Sequence, residues 1–478
     1  MTTYFTPEAC GAIGDGVADD TQAWQIMLDA LPAHGGLVLA AGRYKVGQLY
    51  VRKPVTLQFT GGLSGVAAQL IAAEATDPVL NVTSPGFTAR GLVITSDVVR
   101  TSGAYVRLEN APFFAISDFD LRAPYVGFEL INSSIGRICH GSIRNATKSS
   151  VAPGSAGIVL GANANGFCVA VVIDDVVMDS DLVTSTVKSE QVQQMPSYGI
   201  RMLHSDAVVI ANCDIIRAGK DLAMTPGANQ AVVNTYIHHT YFDTAQFGIF
   251  VDPAAGGAVA RTWLTNVWTS SQIENGVMLG GDGDIIGFHA IRHQAELNAH
   301  DGVFVGSNAV DVWFDQGSFA QNGGSGISIA PGTRKFKIRG NRIGPHDDFA
   351  GNLFGIYVGA GSSEYEIRDN DLTGNTTIGL SDNALAADGR VTRNIGYATR
   401  TRGSAEIATG TTFVTINHGL ASPPSVTGLS VTPVSDWTSV SRYWIDSASI
   451  TATQFTVRVD APPASAFYVA WQATTEAD

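Results

Sequence analysis

The chain has 478 residues, enough to bury a large core and to divide into two or three domains. Its 52 glycines and a charged fraction of 15% fit a turn-rich β protein and exclude a coiled coil or a disordered chain. A formal net charge of −14 without any Lys/Arg-rich run argues against nucleic acid and anionic membrane as partners.

The start, Met1-Thr2-Thr3-Tyr4-Phe5, lacks the basic and apolar regions of a signal peptide. No uninterrupted apolar run approaches the length of about 18 residues that spans a membrane, so a soluble, cytosolically made protein is expected. Cys10, Cys139, Cys168 and Cys213 show no metal-binding spacing and are read as reduced and mostly buried. No metal or other cofactor is expected.

Along the chain, the turn-rich Gly11-Ala12-Ile13-Gly14-Asp15-Gly16 precedes Asp19-Asp20-Thr21, which offers an N-cap. Trp24, Met27, Leu28 and Leu31 then recur at helical spacing, predicting a short amphipathic helix that ends near Pro32 and Gly35-Gly36. Such a helix would cover the open end of a stack of strands. Asp15, Asp19 and Asp20 are read as loop and cap residues rather than catalytic acids. Residues 50 to 200 hold less regular coils, starting at Gly127-Phe128, Gly157-Ile158 and Gly199-Ile200, and the polar stretch from Asp179 to Pro196 is read as a projecting loop.

A Gly followed by an alternating apolar run then recurs at Gly248, Gly276, Gly302, Gly326, Gly355 and Gly379, in steps of 24 to 29 residues. A period of that size built from short β segments means the stacked coils of a solenoid. Near residue 400 the rhythm stops. Arg400-Thr401-Arg402-Gly403-Ser404 reads as a linker. Short strands follow at Thr412–Ile416, Val426–Val431, Ser449–Thr451, Gln454–Val459 and Phe467–Trp471, predicting a β-sandwich. His418 and Trp437 could serve a site there, although a turn histidine and a core tryptophan are the plainer reading.

The segment Gly-Ala-Ile-Gly-Asp-Gly-Val-Ala-Asp-Asp-Thr, the helix, and then Gly-Gly-Leu-Val and Gly-Arg-Tyr-Lys-Val resemble the start of pectate-lyase-type β-helix proteins, especially bacteriophage tailspikes. The resemblance covers residues 5 to about 50 directly and the coils to about 395 through their periodicity. It implies an all-β, right-handed parallel β-helix, a homotrimer, virion tail and baseplate partners, and a bacterial surface polysaccharide as ligand. The domains expected are a cap with the first strands (1–50), the β-helix (51–398) and a C-terminal β-sandwich (399–478) that trimerises or binds sugar.

Aligning the coils on Ile210, Ile237, Leu264, Phe288, Phe314, Ile338 and Ile367 as inward positions places alternate neighbours outside. The outer wall then carries Tyr236, Trp263, Trp313, Tyr241 and Trp268, with His238, His289, Arg292 and Asp315 around them. Gly287 falls in the first aromatic column and Arg292 in the column of Tyr241 and Trp268. Exposed aromatic rows need a cover. A saccharide or a neighbouring subunit would supply one.

Glycoside hydrolysis needs two carboxyl groups, one protonated and one ionised. Asp243, Asp252, Glu274, Glu296, Asp301 and Asp315 lie near the wall. Asp315 with Glu296 or Glu274, supported by His289 and Arg292, is the expected catalytic set. Glu274 and Glu296 are placed about one coil apart. β-Elimination on a uronate would instead draw on His289, His293, Tyr241 and Arg292. The expected function is depolymerisation of a capsule, exopolysaccharide or O-antigen by endo-hydrolysis. A lyase and a non-catalytic adhesin are the alternatives.

Overall fold

A computed structural model describes residues 4–60, 68–144, 153–163, 166–180, 185–384, 386, 388–436 and 439–475. The chain is all-β apart from a few short helices, and its body is a parallel β-solenoid. One wall is a sheet of thirteen strands, one from each successive coil, running from Leu49–Val51 to Ile378–Asp382. Down this wall Ile200, Leu222, Ile249, Val277, Val303, Ile327, Ile356 and Leu380 stand in register, all inward and essentially unexposed. Each coil therefore buries its apolar side only against its neighbours.

The recurring glycines are explained by close approach. A Cβ on Gly276 would lie 2.5 Å from the carbonyl oxygen of Gly302, and one on Gly302 would lie 2.6 Å from that of Gly326. At Asp221 the column is broken by a fully buried carboxyl, which burial pushes well above the usual carboxylate range.

The rest of each coil forms two further walls. In the middle of the solenoid the first consists of Ala231–His238, Ala258–Thr265, Asp284–Ile291, Ala309–Asp315 and Arg334–Arg339. The second consists of Asp214–Ile216, Tyr241–Asp243, Trp268–Ser270, Gln294–Glu296, Ser318–Ala320 and Arg342–Ile343. Between them the chain turns through one left-handed residue per coil: Asn212, His239, Asn266, Arg292, Gln316 and Gly340, with φ between 51° and 64°. Inside the corners run buried amide ladders. Asn298, Asn322, Asn352 and Asn375 are linked by Nδ2-to-Oδ1 bonds of 2.8 to 3.0 Å, and Asn341, Asn370 and Asn394 by bonds of 2.9 to 3.0 Å. Each amide also satisfies backbone groups that the corner leaves unpaired, as buried polar groups require.

The helix Thr21–Ala30 forms where expected and buries Trp24, Met27 and Leu28, with Leu31 just beyond it. Asp20 precedes it but does not cap it. Its carboxylate accepts from the Ile13 and Gly14 N–H groups at 2.7 and 3.1 Å and so anchors the preceding loop. In the Asp179–Pro196 segment, residues 181–184 lie outside the described set, and Lys188–Gln191 forms a helical turn. The cysteines are unpaired, and Cys139, Cys168 and Cys213 are buried.

Beyond the coils two three-stranded antiparallel sheets pack on Ile407, Phe455, Val457, Phe467 and Val469. The segment read as a linker is a strand, Arg400–Ile407, which pairs along its whole length with Phe467–Thr474. Ser449–Thr451 is not a strand, because Ser447–Ser449 forms a 3-10 turn capped by Asp446. His418 is buried, with Nδ1 accepting from the Leu420 N–H at 3.0 Å and Nε2 3.2 Å from the Thr451 carbonyl. Trp437 lies outside the described residues.

Candidate functional site

The second wall carries a groove. Tyr241, Trp268, Gln294 and Ser318 stand in register on successive coils. With His239, Asn266, Arg292 and Gln316 from the left-handed corner they line a cleft of about 510 Å³. The Tyr241 and Trp268 rings meet edge-on, centroids 5.4 Å apart at 86°, and Tyr241 is half exposed. An edge-to-face pair leaves ring surface open for an apolar ligand face, with amides and hydroxyls beside it.

The expected single aromatic wall is two different surfaces. Tyr236, Trp263, His289, Trp313 and Lys337 form one column on the first wall. Tyr236 stacks on Trp263 at 4.7 Å and 10°, His289 on Trp313 at 4.3 Å and 14°, and Lys337 Nζ lies 4.2 Å from the Trp313 ring centre. Rings stacked on one another cover each other's faces, although Tyr236 stays 43% exposed and the Trp313 indole N–H has no hydrogen-bond partner among the described residues.

The coil alignment is corrected at one coil. Ala290, not Phe288, pairs with Leu264 and Phe314, so His289 takes the place assigned to Gly287, and Gln294 the place assigned to Arg292. Phe288 and Ala290 both point inward, so a slip of two residues keeps the face and is invisible to apolar alternation. Arg292 moves to the corner and lines the groove from there. His238 sits at the same corner, its Nδ1 3.2 Å from His239 Nδ1, and His239 Nε2 lies 3.1 Å from the Asn266 amide.

The expected acids separate as well. Asp315 is held by Arg339 through two bonds of 3.0 and 2.8 Å. Glu274 is on a different corner, 2.9 Å from His300. The residue one coil from Glu296 is Ser270, not Glu274. His293 is fully inside, 3.2 Å from the Thr269 hydroxyl and out of reach of a substrate on the outer wall, and burial depresses it to about 4.

Glu296 does belong to the second wall, on the same strand as Gln294, and His346 covers it. Its Oε1 lies 3.1 Å from His346 Nε2, and the same nitrogen is 3.0 Å from the Ser318 hydroxyl. Burial raises its carboxyl above the usual range, partly offset by the His346 charge and by the nearby Trp268 indole, whose N–H makes no well-formed bond. Serine and glutamate share one imidazole nitrogen while His346 Nδ1 has no partner among the described residues. An acyl-transfer triad needs them on opposite nitrogens. His346 comes from a loop closed by a His346–Phe349 bridge, which sequence periodicity did not reveal.

Two further carboxyls share this wall. Asp214 stands directly above Tyr241, and Asp243 lies two residues farther along the same strand as Tyr241. Alternation puts both outside, with Cα atoms about 8 Å apart from the strand spacing and rise. Burial, then the charges of Asp243 and Asp179, raise the Asp214 carboxyl. One oxygen of Asp243 is buried without a partner among the described residues. Both acids were within view in the sequence, Asp214 in the column of Tyr241, but only stacking shows that they adjoin.

No family model matches the chain, and the curated proteins contain no significant sequence match. Solved structures do match in fold. A mutant tailspike protein of E. coli bacteriophage HK620, in complex with a hexasaccharide, covers 98% of this chain and 93% of its own at 10% identity, with a TM-score of 0.62. The Dettilon tailspike protein gp208 covers 98% and 94% at 13% identity, TM-score 0.54. A hyperthermoactive exopolygalacturonase from Thermotoga maritima covers 77% and 91% at 10% identity, TM-score 0.51. Its structural neighbours are thus phage tailspikes and polysaccharide-degrading β-helix proteins, and the likeness at these identities is one of fold.

Proposed function

We propose that the protein is a trimeric phage tailspike that binds a bacterial surface polysaccharide along the second-wall groove and cleaves it by hydrolysis. The observation that carries this reading is the pairing of Asp214 and Asp243 beside the open Tyr241–Trp268 rings. Glycoside hydrolysis requires two carboxyl groups roughly 5–10 Å apart, one serving as acid and the other as base or nucleophile. Asp214 is the acid that protonates the leaving oxygen, and Asp243 is the base or nucleophile. Tyr241 and Trp268 hold sugar faces while Gln294 and Ser318 bond hydroxyls.

The tailspike neighbours support this reading, one of them bound to a hexasaccharide. The coupling of Asp214 to Asp243 ranks them ahead of Asp315, which Arg339 already neutralises. The test is incubation with capsule and lipopolysaccharide from strains to which the protein adsorbs, followed by product sizing and absorbance near 235 nm. Shortened chains without new absorbance, abolished by Asp214→Asn or Asp243→Asn with binding retained, are expected. New absorbance would indicate elimination instead. Binding without shortening would make the protein an adhesin.

A further inference from the structure

Arg292 is the exposed cation of the groove, and among the described residues its side chain has neither an ion pair nor a hydrogen bond. Its neighbours on the lower coils differ. Arg339 holds Asp315 at 2.8 Å, Arg368 holds Glu366 at 2.7 Å, and Arg393 holds Asp369 at 2.8 Å. Above and below Arg292 in the corner column stand Asn266 and Gln316, which are neutral. Each coil takes this corner through a left-handed residue, and at this coil the residue is an arginine, φ 54°. Farther down the same wall, the Arg342 side chain bonds the Pro345 carbonyl at 3.1 Å and makes no ion pair among the described residues. The opposite end of the groove carries Asp214 and Asp243. On a chain of net charge −14, Arg292 is thus an unneutralised cation within the groove, set apart from the Asp214–Asp243 end.

Resting on the reading of this groove as a glycan site, we propose that Arg292 is a subsite for an anionic group, a carboxylate or a phosphate, borne by a sugar of the bound polymer. Its planar fork suits either anion bidentately. Asp214 and Asp243 repel the same group, so Arg292 fixes the polymer's register relative to them. Arg292 is two coils from Asp243, about 10 Å along the axis. The anionic sugar is therefore not the one at the reacting bond, and its charge serves recognition rather than activation for elimination.

The experiment compares three polymers prepared from the capsule of a strain to which the protein adsorbs. They are the native polymer, the polymer with carboxyls reduced to alcohols, and the polymer stripped of phosphate by aqueous hydrogen fluoride. Binding and initial cleavage rates are measured for the full chain, Arg292→Gln and Arg292→Lys. One of the two treatments is expected to weaken wild-type binding roughly tenfold, the scale of a charge-assisted bond, and thereby to identify the anion. Arg292→Gln is expected to raise KM by a similar factor on the native polymer, with kcat little changed, and to have no effect on the sensitive neutralised one. Arg292→Lys should recover part of the loss. Equal wild-type binding to all three polymers overturns the anionic subsite while leaving the glycan groove intact. A loss in Arg292→Gln that is the same on native and neutralised polymer overturns it too. If the wild type binds none of them, the glycan reading and this inference fall together.

Discussion

His346 Nε2 lies 3.1 Å from Glu296 Oε1, and this contact ties the loop after Arg342–Ile343 to a wall strand two coils away. Both side chains are nearly covered, at 10% and 5% exposure, so the carboxyl titrates in a poorly solvated place.

The first prediction concerns stability and pH. Burial raises the folded-state value of Glu296 above its ordinary value of 4.5. The folded protein therefore binds this proton more tightly than the unfolded chain does. The corresponding stabilisation is complete below the ordinary value and is lost as pH rises through the raised one. Glu296→Gln keeps an acceptor for His346 but cannot titrate. Its stability relative to wild type should therefore improve as pH rises across that window, as read by chemical denaturation. An unchanged difference at all pH values would mean that the carboxyl is solvated in the native state.

The second prediction tests the glycine column. A Cβ on Gly302 would meet the Gly326 carbonyl at 2.6 Å and the Asn322 amide at 2.9 Å, and the carbonyl is backbone. Gly302→Ala should destabilise by about 3 kcal/mol, the upper range for overpacking a close-packed site. Gly332→Ala is the control. Gly332 has φ 80° with no neighbour atom within 4 Å, so only backbone strain of about 1 kcal/mol applies. Melting temperatures of the two variants give the comparison.

These glycines show why the solenoid was legible in the sequence. Close stacking admits no side chain at one point of each coil, and that constraint repeats as a visible letter. The inward residues were equally plain, except where Phe288 and Ala290 offered two apolar choices on one face. The site was less legible because it depends on which residues adjoin across coils of unequal length. One slip exchanged Arg292 for Gln294, and the left-handed corner that separates the two aromatic columns into two walls had no apolar signature. The pairing of Asp315 with Arg339 and the cover over Glu296 by His346 had no local signature. The linker reading at Arg400–Ser404 failed because its polar, alternating sequence is that of a sheet with one solvated face.

The third prediction uses His293, which burial depresses to about 4 from an ordinary 6.5. Below its ordinary value the unfolded chain takes up a proton that the folded protein refuses. Stability contributed by the neutral ring is thus present above that value and lost as pH falls toward 4. At one pKa unit per 1.36 kcal/mol the full loss is about 3 kcal/mol. His293→Gln has no such titration, so the gap between it and wild type should close by about that amount between pH 7 and pH 4. Urea midpoints at the two pH values decide it, and a constant gap would contradict a neutral buried ring.

The last prediction bears on the proposed chemistry without requiring a substrate. Burial is the largest cause of the raised Asp214 carboxyl, and the charge of Asp243 is the next. Asp243→Asn removes that charge while keeping the shape of the side chain. The Asp214 carboxyl carbon, followed by NMR, should then titrate at lower pH than in wild type and still above an ordinary aspartate, because the desolvation remains. Asp315→Asn, whose charge is already met by Arg339 and which is not among the groups that shift Asp214, should leave it where it was. If Asp243→Asn leaves Asp214 unmoved, the two carboxyls do not share a field and the acid and base roles assigned to them fail. If Asp214 falls all the way to an ordinary value, repulsion rather than burial was holding its proton.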